Sequence, residues 1–257
     1  MMRSSIIWVL LSLSLSSAAT AQYAADQYFD PNEMAAAREA LWSGHGNQIN
    51  ALVLGERFEH RSAGGNPILV WEGQGWVGND DHKLWIKTEG EYETADSRFE
   101  HAELQALYSR AISPFWDIQL GLRHDFEPDP TRSYLTVGVQ GLARYWFEID
   151  AQLFLSDQGD LSARLEAEYE LRLTQRLILQ PRLEIISAFS DDTDRNLDAG
   201  LSSVDAGLRL RYEFRRTIAP YLGLSWNRVY GREADLLRSN NEDPGEISVL
   251  AGVRFWY

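Results

Sequence analysis

The stretch RLEAEYELRLTQRLILQP, residues 164–181, constrains the fold more than any other. Arg164, Glu166, Glu168, Glu170 and Arg172 alternate with Leu165, Ala167, Tyr169, Leu171 and Leu173. A period of two puts each set on one face of a β-strand. The pattern reverses at Thr174-Gln175-Arg176 without glycine or proline, so a short turn joins two such strands. One face carries five charges and the other has no charge. In a soluble sheet the apolar row would be core. In a membrane barrel it would meet lipid, and the charges would line a wet lumen.

The same period runs through the chain after Asn50. Twelve segments carry it: 52–61, 68–78, 83–94, 99–110, 115–126, 133–142, 146–156, 161–173, 177–189, 203–215, 219–230 and 246–257. They are long beside a globular strand of about 5–6 residues. They suit a tilted strand crossing a bilayer, which takes about 9–11. Links after even segments are short: 79–82, 111–114, 143–145, 174–176 and 216–218. Links after several odd segments are longer and polar: 127–132, 190–202 and 231–245. Sorting of loop length by parity is the asymmetry of outer-membrane barrels, and an even strand count puts both ends on the short-turn, periplasmic side. Val204, Ala206, Leu208, Leu210, Tyr212 and Phe214 form another wholly apolar row, with aromatics near its end as interfacial girdles require. The expected fold is an all-β, antiparallel transmembrane barrel of about twelve strands.

The chain opens MMRSSIIWVLLSLSLSSAATAQ, with Arg3, a serine-diluted apolar run and Ala19-Thr20-Ala21. These are the marks of a secretory signal peptide cleaved after Ala21. Residues 22–50 read as a periplasmic leader and 51–257 as the barrel. In the leader, DPNEMAAAREALWSG predicts a helix with Asp30 as cap, Pro31 at the first position, Glu33 completing a capping box and Ser43-Gly44 at the end. That helix is either a loosely docked terminal element or a plug at a pore mouth. The formal charge of −14 argues against a nucleic-acid partner, which needs clustered Lys and Arg. With no cysteine, disulfides and thiolate metal sites are excluded.

Short turns also predict register. Pairing Leu173 with Leu177 sets Glu168 against Arg182 and Glu166 against Glu184. Pairing Leu155 with Leu161 sets Glu148 against Glu168 and Asp150 against Glu166. A turn at 143–145 sets Gln140 against Glu148. Asp150, Glu166 and Glu184 then form a row beside Gly138, which is a candidate cation site. Inward arginines Arg164, Arg172, Arg209 and Arg211 offer the alternative, a neutral structural network. Of the histidines, His101 shares a face with Glu103 and points inward near Arg123. His60 closes the first segment beside Glu59, His124 falls on the lipid face near the rim, His82 lies in a short turn, and His45 follows the leader helix. No two share a strand at metal-pair spacing. No Ser-His-acid set and no glycine-rich phosphate loop appears, so an enzyme is not expected.

WIKTEGEYE (85–93), ALYSRAISPFWDIQLGLRHD (106–125), GVQGLARYWFEIDAQLFLSDQG (138–159), GLRLRYEFRRTIAPYLGLSWNR (207–228) and VLAGVRFWY (249–257) resemble the copper resistance protein B family. The resemblance covers nearly all of residues 56–257. It implies an outer-membrane barrel serving copper tolerance, with copper ions as ligand and a periplasmic multicopper oxidase as partner. Many members carry a long Met- and His-rich segment before the barrel. Here the leader offers only Met34 and His45, so the barrel itself is expected to bind copper. The candidate ligands are His101, Glu103, His60, Asp150, Glu166 and Glu184, at the lumen or its mouth. A passive cation-leaning pore and a purely structural barrel are the competing readings.

Overall fold

The computed structural model describes residues 24–46, 48–63, 66–192, 194–195 and 197–257. The signal-peptide segment lies outside them. The chain divides into two units, up to Gly46 and from Asn47. In the first, helix α1 spans Pro31–His45. Asp30 caps it, accepting from the N–H groups of Asn32 at 2.8 Å and Glu33 at 3.2 Å. The helix runs past Ser43-Gly44 to Gly46, whose N–H donates to the Trp42 carbonyl at 2.9 Å.

The second unit contains β1 Asn50–Ala63, β2 Asn66–Gly78, β3 His82–Glu93, β4 Arg98–Ser113, β5 Trp116–Glu127 and β6 Arg132–Leu142. They are followed by β7 Glu148–Ser156, β8 in two pieces (Leu161–Glu168 and Leu171–Arg172), β9 Leu177–Ala188, β10 Gly200–Tyr212, β11 Ile218–Val229 and β12 Gly245–Trp256. Each pairs antiparallel with its chain neighbours, and β12 returns to β1, with Leu54 against Trp256 and Ser62 against Val249. The sheet is therefore a closed barrel of twelve strands among the described residues. Closure removes the unpaired edges that a membrane cannot tolerate.

The break in β8 has a local cause. Pro181 on β9 stands opposite Tyr169, which donates to the Pro181 carbonyl at 3.1 Å. Proline has no N–H to return the bond.

Burial is inverted relative to a soluble domain. Leu120, Leu122, Leu153, Leu165, Leu210, Leu222 and Val249 are exposed on the outer wall. Arg57, Glu59, Glu103, Arg182, Arg209 and Arg211 are buried inside. Water cannot be the solvent of the outer face, because a contiguous apolar band of this size is a membrane surface.

Register agrees with expectation from β7 to β9. Glu148 pairs with Glu168, Asp150 with Glu166, Glu166 with Glu184, and Glu168 with Arg182. The expected pairing of Gln140 with Glu148 is corrected: Gln140 faces Asp150, and Leu142 faces Glu148. Tyr145 and Trp146 take left-handed backbone conformations (φ 67 and 68). The turn therefore closes with Ala143 N–H on the Phe147 carbonyl, one residue later than the 143–145 link assumed. Gln140, not Gly138, completes the acidic row. The link 231–245, one of the long polar links, contains helix α2, Gly231–Ser239, with Ala234 buried.

Candidate functional site

The lumen is built around guanidinium groups at its waist. Arg182, on β9, has a side chain only 1% exposed and lies within 4 Å of five carboxylates. Its Nε donates to Glu166 at 2.8 Å, and it also bonds Glu184. Arg209 donates to Glu59 through Nε at 3.0 Å and Nη2 at 2.9 Å, tying β10 to β1. The Tyr221 hydroxyl and Arg61 complete the shell of that buried carboxylate, at 3.0 and 2.8 Å. Arg57 bridges Glu72 and Glu89, and Arg164 bridges Glu89 and Glu103. Alternation on long strands sends these side chains inward. Closure then lets strands far apart in sequence share them.

Five candidate ligands are brought together in two groups. His101 Nε2 lies 3.4 Å from Glu103 Oε2, and Glu103 also binds Arg123 at 2.8 Å. Asp150, Glu166 and Glu184 are neighbours across β7, β8 and β9, as expected. Each is already matched by a cation: Lys87 Nζ to Asp150 at 2.5 Å, and Arg182 to the other two. No group of three or more His, Asp or Glu with metal-holding geometry occurs among the described residues. In this row the ion pairs of the neutral network are formed. His60 does not join His101. It is exposed, and its strand neighbours are Leu69 and Ala251 on the outer wall. Alternation that sends Glu59 into the lumen sends His60 out. His82 donates to or accepts from Tyr108 at the turn end at 2.6 Å, and His124 does the same with Ser133 at 2.9 Å.

Two inward groups were missing from the expected set. Lys87 reaches Gln119, Gln140 and Asp150. Glu91 is the direct cross-strand partner of His101. Both share parity with Glu89 in WIKTEGEYE, so alternation carries the signal. The cross-barrel contacts of Lys87 required the closed geometry.

At the loop end, Arg195 lies across the mouth. It donates to Asp125 at 2.8 Å, to the Tyr134 hydroxyl at 3.0 Å and to the carbonyls of Pro128 and Pro130. Arg132 binds Asp160 and Asp192 beside it. On α2, desolvation and nearby Glu100 raise the Glu233 carboxyl above the usual carboxylate range.

A closed barrel with a lipid-facing apolar wall and an ion-paired lumen defines an outer-membrane β-barrel protein. The solved KdgM porin, in complex with disordered oligogalacturonate, shares the fold with a TM-score of 0.50 and 9% identity, over 80% of this chain and 98% of that one. Residues 49–257 match the family described as copper resistance protein B precursor (CopB). Over 213 residues the chain is 40% identical to copper resistance protein B of Escherichia coli, covering 83% of this chain and 71% of the relative. It is 38% identical to the copper resistance protein B homolog of Pseudomonas syringae pv. tomato, over 83% and 72%. The chain belongs to the copper resistance protein B family.

Proposed function

We propose that the barrel takes part in copper resistance by binding copper ions, its cargo, at the loop-end side of the lumen, and by handling them at the outer membrane. The observation that carries this is His101. Among the histidines whose side chains are described, it alone faces the lumen, with Glu103 at 3.4 Å and Glu91 opposite. Imidazole suits copper better than carboxylate alone, and the carboxylates hold the ring in place. The family's periplasmic multicopper oxidase is the candidate partner in handling that copper. Signal cleavage after Ala21 would deliver the chain to that compartment.

The test is Cu(II) titration of the detergent-folded protein, with His101→Ala and the pair His101→Ala, Glu103→Gln. The expected result is at least a tenfold loss of affinity, about 1.4 kcal/mol. Unchanged affinity rejects the site. A deletion strain regaining copper tolerance, but no change in zinc or nickel tolerance, from the unsubstituted gene tests the role itself.

The waist network favours a second reading over an open pore. Guanidinium–carboxylate pairs span the lumen between β1 and β10 and between β4 and β8. A barrel so filled would act by binding at its mouth, not by conduction. Single-channel recording separates the two, since sustained current at the size of an open porin would remove this reading.

A further inference from the structure

We infer that the turn-end half of the lumen is a binding site for a hydrated, oxygen-seeking divalent cation, separate from the copper site. A cavity of about 270 Å³ extends from Arg164 and Glu103 at the waist to Leu142, Glu148 and Ile149 beside the β6–β7 turn. Eight carboxylates line it against two cations, Lys87 and Arg164. Most of these carboxylates are claimed by the waist. Glu56 and Glu148 form no ion pair among the described residues, though Gln74 donates to Glu56 at 2.6 Å and Arg254 is within electrostatic reach of both. Glu148 stands directly across from Glu168, and Glu56 is within electrostatic reach of Glu168. Three carboxyl groups therefore share one end of the cavity, with the Arg254 guanidinium within electrostatic reach of all three.

Gln105 points independently to a ligand. It lines the same cavity, is 2% exposed, and has a carbonyl oxygen with no partner. Its amide nitrogen donates to Glu103 at 2.7 Å, which fixes the oxygen as the free end. A buried acceptor of this kind calls for a donor. The donor set is carboxylate and amide oxygen, which suits magnesium, manganese or calcium and not copper. No carboxylate trio converges closely enough to strip the ion. An ion that keeps its water satisfies both facts, because bound water donates to Gln105 Oε1 and to the carboxylates. Magnesium characteristically keeps several waters. Six waters occupy roughly 180 Å³ at about 30 Å³ each, which the cavity holds.

The probe is Mn²⁺, titrated into the detergent-folded full chain and followed by electron paramagnetic resonance and water-proton relaxation. One Mn²⁺ per chain is expected, with its first-shell water retained, displaced by Mg²⁺. Glu148→Gln with Glu168→Gln should weaken it at least tenfold. Should that pair fail to fold, Gln105→Leu and Glu56→Gln each supply the same test with a smaller loss. His101→Ala should leave Mn²⁺ binding unchanged, which separates this site from the copper reading. Absent binding, equal affinity in the charge-removed variants, or a dehydrated ion overturns the inference.

Discussion

Arg182 and Glu148 belong to one row of the wall and are separated only by Glu168. Arg182 is enclosed by five carboxylates at the waist. Glu148, toward the turns, has no ion pair among the described residues and is exposed. The same alternation placed both. What differs is reach: the Arg182 guanidinium meets carboxylates from several strands, while at the turn end Arg211 and Arg254 close on Glu170 and leave Glu148 without an ion pair. The waist is thus a structural device, and the excess charge beside it is free to attract ions.

Removing the hub should break the contrast most severely. Arg182→Met leaves buried carboxylates facing one another, and a loss of about 3–5 kcal/mol is expected in denaturant unfolding of the detergent-folded barrel. A loss under about 1 kcal/mol would mean that the remaining arginines redistribute. Arg195→Ala tests the other boundary of the waist. It removes charge-assisted bonds to Asp125 and bonds to two carbonyls, and should cost about 1–3 kcal/mol while making 189–199 sensitive to protease. Lys87→Met extends the acidic region inward by releasing Asp150, Gln119 and Gln140. Affinity for Mn²⁺ should rise on the order of tenfold, and a fall would show that Lys87 organises the cavity. The smallest effect belongs to Glu233, outside the strands. Its folded-state pKa is raised, so the ionised form weighs against the fold at neutral pH, and that penalty fades as pH falls. Glu233→Gln should raise the melting temperature slightly at pH 7 and leave it unchanged well below the carboxylate range.

Much of this wall was legible in the sequence. Alternation gave the twelve strands and the inward row Glu166, Glu168 and Glu170, and the short turns gave the register from β7 to β9. Three things were not legible, for separate reasons. The β6–β7 turn uses left-handed Tyr145 and Trp146, which no glycine or asparagine announces. His60 depended on which member of an adjacent pair faces in, and an inward neighbour, Glu59, settles that only once the strand is placed. The partners Arg209 and Glu59, or Arg164 and Glu103, are 150 and 61 residues apart. Their meeting depends on closure and on strand stagger, which local periodicity does not encode.

The tie between Glu59 and Arg209 has a consequence for how the molecule persists. Glu59 is on the first strand, and its partners Arg209 and Tyr221 are on the tenth and eleventh. A chain inserting strand by strand leaves that carboxylate with Arg61 of its own strand but without Arg209 or Tyr221 until the circle is nearly complete. Conversely, a finished barrel cannot open at the β1–β12 seam without exposing it. Interactions absent until the last step of assembly slow the reverse reaction rather than speed the forward one. The lifetime of the protein in the membrane is therefore set by a latch that forms last, a kinetic guard suited to a surface from which a misfolded chain is not readily retrieved.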